Sequence, residues 1–425
     1  MTAMTHQNSQ AANYDVIVIG GGASGMMAAS IAASNGARVA VVEKNKRLGQ
    51  KLSITGGGRC NIFNAEENNN LLLANYGLAS KFLHSAFARF GMQATADYFH
   101  KLGLPTKLEA RKRAFPASES APDVVKALYN DLRQHGVDIM AGSTVTTINA
   151  HNSVITSVSL NNQTISAKNY ILATGGRSRP ETGSTGDGFT WLADMGHTVR
   201  APTPNVTPLA AGESWLKTAS GTTIPAARIR FFLNSKPAFS VDGDILLTHF
   251  GVSGPTILNN AYRVAELLEA GDVTASINCF PKQTKPELDT SLQTILHEHP
   301  AKNLQTVLRL IAPPGLHKAL AEILEPHGFL QTNNSELSKK QRLLVVELLM
   351  ALPLTIERLM GFEKAVVADG GLSLTDIDTR TMRSKKITNL YITGDLLDIN
   401  RPSGGYSLQL CWTTGYVAGA SASES

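Results

Sequence analysis

The most constraining stretch of this 425-residue chain is a short apolar run, Tyr14-Asp15-Val16-Ile17-Val18-Ile19, that enters Gly20-x-Gly22-x-x-Gly25. Its near-continuous apolar character is that of a parallel strand buried on both faces. From Gly22 to Asn35 the residues are small and apolar, which predicts a closely packed helix ended by Gly36. Arg38 to Val42 then predicts a second buried strand, which runs into Glu43. In such a strand–helix–strand unit Gly20 permits the tight turn, Gly22 lets a pyrophosphate reach the backbone, and Gly25 lets the helix lie close on the strand. The helix start, with Ala23 and Ser24 in its first turn, offers free N–H groups and a positive dipole end. Glu43 lies 18 residues after Gly25, placed to accept hydrogen bonds from ribose hydroxyls, with Lys44 beside it. The unit predicts dinucleotide binding. A glycine turn kept only for packing is the plainer alternative.

The glycine segments further along the chain bear on which dinucleotide it is. A nicotinamide dehydrogenase normally completes its cofactor domain early, whereas here the chain returns to the same kind of site twice more. An apolar strand at Tyr170–Ala173 enters Thr174-Gly175-Gly176, and another near the C-terminus enters Gly394-Asp395. Three separated contact segments suit the extended cofactor FAD, with Asp395 near its ribityl or pyrophosphate region. Gly404-Gly405-Tyr406 opens the last predicted helix, whose N-terminus would stabilise negative charge on reduced flavin. Between Arg47 and Asn61 a polar, glycine-dense loop carries Lys51, Thr55, Gly57, Gly58 and Arg59, groups suited to wrap phosphates or the flavin ring. Cys60 ends that loop without a second cysteine or an adjacent base, and reads as a small neutral packing residue beside the cofactor. Val145, within a predicted strand over 137–148, completes the cofactor-facing set.

Composition narrows the partners. The chain is 43% hydrophobic and 17% charged, globular values, and its length predicts two or three packed units. The net charge of +5 fits an anionic cofactor or substrate, and Arg111-Lys112-Arg113 is its one basic tract, so nucleic acid is not the expected partner. Cys60, Cys279 and Cys411 are an odd, scattered set, which predicts neither a disulfide framework nor a dithiol centre and fits a reducing cytoplasm. The polar first thirteen residues are unlike a signal peptide, and no apolar run reaches the roughly 20 residues of a membrane helix. No metal site is predicted, and oligomeric state is left open.

The order of elements predicts an α/β fold: a doubly wound FAD domain in two sequence pieces, 14–200 and 365–425. Between them, 201–284 reads as strand-rich, 285–352 as helical and 353–364 as a return through the inserted domain. Helices are predicted over 71–103 and 123–135, and strands at Ala365–Val367 and Leu390–Ile392.

Together the motifs IGGGASGMMAA, KLSITGGGRCN, RKRAFPAS, ILATGG, TGSTGDGF, LTHFGVSGP and ITGDLLDINRPSGGYSLQ resemble the aminoacetone-oxidase-like FAD-binding flavoproteins of the bacterial YhiN/BaiN type. The resemblance runs from about Tyr14 to Gly419. It implies a glutathione-reductase-like FAD domain interrupted by a β-barrel-like domain with a helical insert. It implies either amine oxidation of the aminoacetone type or NAD(P)H-dependent reduction of unsaturated, steroid-like acids. Where relatives often read G-E-V-L-D-x-D-G-x-x-G-G-Y-N-L-Q, this chain has Asp395, Asn400-Arg401 and Ser407.

The expected activity is FAD-dependent hydride transfer between a small organic substrate and flavin N5, with NAD(P)H as the transient electron donor. An O2-using oxidase of a small amine is the first alternative, and an RNA-binding or RNA-modifying flavoprotein the second. Only one G-x-G-x-x-G fingerprint is present, so no separate nicotinamide domain is expected. Three residues are catalytic candidates. His249 leads a Gly-Ser-Gly-Pro turn and could serve as acid or base, although a lone histidine serves structure as readily. Arg113 and Arg401 could clamp an anionic substrate, or else be surface arginines.

Overall fold

A computed structural model describes residues 13–424. They form two compact units, one running up to Thr203 and resuming at Val367, the other spanning Pro204–Val366.

The first unit is built on a five-stranded parallel sheet. Its strands are β1 (Tyr14–Ile19), β2 (Val39–Glu43), β3 (Asp138–Ala141), β4 (Ala167–Leu172) and β5 (Leu390–Ile392), in the order β5-β4-β1-β2-β3. Val16, Val18, Val41, Ile171 and Ile392 are fully buried, as expected for strands covered on both faces. On one face lie helices α1 (Ala23–Ser34) and α3 (Tyr406–Ser423), with α2 (Ala121–Gln134) also packed on α1. The α1–α3 contact depends on small residues. A Cβ on Gly415 would stand 2.5 Å from the Ser24 carbonyl oxygen, and one on Gly419 2.3 Å from that of Ala28. A three-stranded antiparallel meander, Val145–His151, Val154–Leu160 and Thr164–Ile165, precedes β4.

The second unit is a closed six-stranded antiparallel barrel with strands at 209–211, 251–253, 236–248, 223–233, 273–278 and 352–359 in that order around it. Its long hairpin turns through Asn234 and Ser235, both at positive φ (47° and 66°), the backbone signature of a two-residue hairpin turn. Helices Lys285–Glu298, Leu304–Ile311, His317–Leu324 and Lys339–Met350 share the barrel's apolar core. Reciprocal capping boxes at Thr284/Glu287 and Ser338/Gln341 fix two of their starts.

The fold class is therefore α/β with a glutathione-reductase-like parallel core and an antiparallel barrel. Three local expectations change. The helix expected over 71–103 is three, Asn69–Ala74, Ser80–Arg89 and Met92–Lys101, interrupted at Gly77 (φ 52°) and at Phe90-Gly91. The strand expected over 137–148 is split, because Gly142 takes φ 73° and the chain closes back on Glu43 through the Ser143 N–H before the meander begins. The strand expected at 365–367 is instead Val367–Leu372. Its Gly370-Gly371 pair permits close approach to the Ala201 and Leu396 carbonyls, contacts a Cβ would close.

Candidate functional site

The sheet's carboxyl edge gathers the glycine segments. The Gly20 N–H donates to Val42 O, Ala173 N–H to Ile19 O and Thr393 N–H to Leu172 O, so the ends of β1, β2, β4 and β5 are held level. Gly20 has φ 107°, and a Cβ there would lie 2.5 Å from the Ala173 oxygen. A Cβ on Gly25 would lie 1.9 Å from the Gly20 oxygen. Gly22 differs from both, since nothing stands within 4 Å of its missing Cβ. It caps α1 without any side-chain acceptor, and no acid occupies the first turn. The free N–H groups of α1 thus open on unfilled space.

Beside them is a pocket bounded by Gly20, Glu43, Lys44, Val145 and Thr174, closed by Asp187 and Trp191. Glu43 is held by N–H groups of Gly21 and Asn45, each at 2.8 Å, leaving lone pairs on both carboxylate oxygens. Lys44 turns away from the glycines to pair with Asp187 at 2.7 Å. Thr174 Oγ1 is buried without a hydrogen-bond partner. An orphaned hydroxyl, a glycine-lined opening and a fixed carboxylate together fit the adenosine and pyrophosphate parts of FAD.

The second cluster joins segments far apart in sequence. Gly394 (φ 64°) abuts Ser24 of α1, to whose Oγ the Thr393 hydroxyl donates at 3.1 Å. The Gly176 Cα faces Asp395, where a Cβ would lie 3.2 Å from its backbone oxygen. Asp395 is held between two cations, Lys51 Nζ at 3.2 Å and the Arg401 guanidinium. Burial alone would raise its pKa, but Arg401 and Lys51 outweigh it and hold the carboxyl down at about 2. Lys51 also donates to Ser178 Oγ at 2.8 Å.

The loop before these residues behaves unevenly. Gly57 and Gly58 take positive φ (68° and 86°) and face open space. Thr55 Oγ1 donates to Leu52 O, a local turn contact. Arg59 does not extend along the glycines: it stacks 4.3 Å over Phe115 and pairs with Glu109 and Glu119. Cys60 is fully buried, and burial pushes its thiol up to about 12, so it is a neutral thiol at ordinary pH.

At the far end Gly405 (φ 100°) caps α3, again with no side-chain acceptor and no acid in the first turn. A Cβ there would overlap the Phe63 backbone at 2.4 Å. Asn64 Nδ2 donates to Gly404 O and to Arg111 O, tying this turn to the basic tract, and Tyr76 OH donates to Tyr406 O.

The three catalytic candidates have different surroundings. His249 is exposed in the barrel unit, in the two-residue turn between the 236–248 and 251–253 strands, edge-on to Phe250. Arg113 is partly exposed in the first unit, donating from Nε to Ala110 O. Arg401 is 3% exposed and engaged with Asp395, Ile399 O and Ser407 Oγ, so its donors point inward, not to solvent. Sequence reasoning passed over Ser178 and Asp187, which orient Lys51 and Lys44. Only Asp187 fell within a quoted motif, TGSTGDGF. Among the described residues no cluster of histidine, cysteine or carboxylate could hold a metal, and no helix is long and apolar enough to cross a membrane.

Residues 14–421 match the family described as HI0933-like protein Rossmann domain. The chain belongs to this family. It is 31% identical over 412 residues to the 3-dehydro-bile acid delta(4,6)-reductase of Clostridium scindens, covering 96% of this chain and 98% of that one. It is 26% identical to the ribosomal RNA dihydrouridine synthase of Escherichia coli K12, covering 95% and 96% respectively. Among solved structures, the 3-ketosteroid-delta4-(5alpha)-dehydrogenase of Rhodococcus jostii RHA1 superposes with TM-score 0.56 at 14% identity, over 99% of each chain, a likeness of fold. The protein is an FAD-dependent oxidoreductase.

Proposed function

We propose that this protein is an NAD(P)H-linked reductase of a carbon–carbon double bond conjugated to a carbonyl. One observation carries the reading. Relatives of full length, named for chemically remote substrates, share a reaction type: the bile acid reductase and the dihydrouridine synthase both take their names from saturation of a ring double bond. A scaffold serving both is built around that step, not around one substrate.

The residues divide the work of holding the cofactor. The free N–H groups of α1 above Gly22 would hold the pyrophosphate, Glu43 the adenosine ribose hydroxyls, and Thr174 Oγ1 would gain its missing partner there. Lys51, Asp395 and Gly394 would meet the ribityl side, and the α3 N-terminus at Gly404-Gly405 the ring. Bound FAD supplies the two-electron chemistry. Saturating a conjugated double bond also consumes a proton, and His249 is the titratable candidate to deliver it. Arg113 would receive an anionic group of the substrate.

The substrate class is a small unsaturated ketone or acid. A uridine in RNA is the second reading, favoured by the dihydrouridine synthase relatives and by exposed Arg111 and Lys112 on one turn. The test is anaerobic titration of the flavin spectrum with NADH and NADPH, then reoxidation by a 3-oxo-4-ene steroid or by unmodified ribosomal RNA transcript. Bleaching by a nicotinamide and reoxidation by the steroid supports the first reading, and by the RNA the second. A flavin indifferent to both nicotinamides, with peroxide released from aminoacetone, replaces both by an amine oxidase.

A further inference from the structure

The helix Asp187–Asp194 is pinned to the sheet's carboxyl edge at two points. Lys44, just past β2, pairs with Asp187 at 2.7 Å and donates to Thr185 Oγ1 at 2.5 Å. At Gly188 the helix comes so close to the turn after β4 that a Cβ would stand 2.3 Å from Thr174 Oγ1. Trp191 follows Asp187 by four residues, so both side chains lie on one face of this helix. Phe189 and Leu192 are buried in the core, whereas Trp191 stays partly exposed. Its ring closes the pocket bounded by Gly20, Glu43, Val145 and Thr174. Among the described residues that line this pocket, Trp191 alone is aromatic. Trp191 also borders an open groove with Thr146, Ile148 and Asp194. The indole is thus a partition between two openings and not a filler of the core.

The chemistry of the pocket runs in an order. At one end the free N–H groups of α1 open on space above Gly22. Next comes Glu43, held by two backbone N–H groups with lone pairs left over. Thr174 Oγ1, buried and without a hydrogen-bond partner, independently marks a group that the protein itself does not supply. A phosphate and a ribose account for these polar features. A base attached to that ribose needs a flat apolar wall, which an indole face provides.

We propose that Trp191 receives the adenine ring on its indole face, and that this contact makes the site select an adenine dinucleotide. The assignment rests on the reading that the α1 end holds the pyrophosphate of FAD. Trp191 is a binding residue remote in role from hydride transfer: it touches the half of the cofactor that carries no electrons.

The experiment titrates flavin-free protein with FAD and with ADP, in wild type, Trp191→Phe and Trp191→Leu. ADP is the probe because it carries the adenine half alone. Trp191→Leu keeps apolar bulk but loses the aromatic face, and should weaken both ligands by about the same factor, roughly tenfold. Trp191→Phe keeps a ring and should lose no more than about threefold. ADP does not absorb tryptophan emission, so quenching by it reports contact. It should quench the wild type and not Trp191→Phe, whose remaining tryptophans are Trp215, in the second unit, and the fully buried Trp412. Both variants should melt as the wild type does when flavin-free. Wild-type affinity for ADP in folded Trp191→Leu overturns the inference, as does a loss confined to FAD. If the leucine variant does not fold, the phenylalanine variant decides, and quenching by ADP that survives in it overturns the inference. Wild-type protein that binds neither FAD nor ADP fails the reading of the site instead, and is seen before any variant is made.

Discussion

Two helix N-termini in the first unit are built alike and equipped differently. Both α1 and α3 start at a glycine cap with no side-chain acceptor, and neither carries an acid in its first turn. At α1 the surroundings are nearly neutral: glycines, an empty space above Gly22, and one carboxylate already anchored to Gly21. At α3 the surroundings are ionic: Arg401 donates to Ser407 in the first turn and pairs with Asp395, which Lys51 also meets. The first end selects its ligand by shape and backbone N–H groups, the second by charge. A dinucleotide motif is legible in sequence because shape at a backbone admits few residue types. Charge can be supplied from anywhere in the chain.

If α1 works by shape, its glycines should fail in different ways. Gly25→Ala places a Cβ where the Gly20 oxygen stands at 1.9 Å, an overlap that no rotamer relieves. Overpacking of this kind costs about 3 kcal/mol or more when backbone must move, and here it pries α1 from β1. We expect little folded protein and no flavin in it, measured by circular dichroism and by the visible spectrum. A variant that folds and binds FAD normally would show that the close crossing is dispensable.

The ionic end is tested by Asp395→Asn, which leaves two cations without their partner. Breaking a buried pair costs about 3–5 kcal/mol, and the 19% exposure of the Asp395 side chain places this case at the low end. We expect a lowered melting temperature even in apoprotein. The stability that Asp395 contributes also has a defined pH window. Its folded pKa, about 2, lies below the unfolded value of 3.8, so the contribution is complete above that value and is lost as pH falls toward 2. An acid-unfolding profile unchanged by Asp395→Asn would sink the ionic reading.

Gly22→Ala separates ligand from scaffold. Its φ of −80° suits any residue and nothing stands within 4 Å, so the fold should lose no more than about 1 kcal/mol, from the poorer cap. The added methyl fills the space assigned to the pyrophosphate. FAD affinity should fall at least about tenfold, some 1.4 kcal/mol by fluorescence titration, while apoprotein melts as before. Equal affinity would move the phosphates elsewhere.

These contrasts mark what the sequence could carry. The parallel sheet was readable from apolar runs at Tyr14–Ile19 and Tyr170–Leu172, since strands covered on both faces admit little else. The strand Val367–Leu372 was harder to read, because its two glycines are there for backbone approaches invisible in one dimension. That Lys51, Thr174 and Asp395 lie by the glycine turns at the sheet's carboxyl edge was legible from the motifs beside them. Arg59 was not: nothing in its own loop shows that Glu109 and Glu119, some fifty residues on, engage it. Arg401 was read as a substrate clamp because a sequence shows an arginine's charge but not which way it faces.

The smallest effect concerns a polar contact away from both helix ends. His197 is buried, with Nε2 2.7 Å from Ser384 Oγ and Nδ1 3.1 Å from Leu192 O. Burial lowers its pKa below 6.5, and the Leu192 carbonyl and Asp376 only partly oppose this. The unfolded chain therefore takes up this proton first. Stability should decline as pH falls through the unfolded value and level off below the depressed folded one. Unlike the Asp395 loss, it begins near neutrality and leaves flavin binding intact. Thermal melts of wild type and His197→Gln between pH 7.5 and 5 would show it as a slope present only in the wild type. Parallel slopes would return the whole acid sensitivity of this unit to its carboxylates, and with it to the ionic helix end.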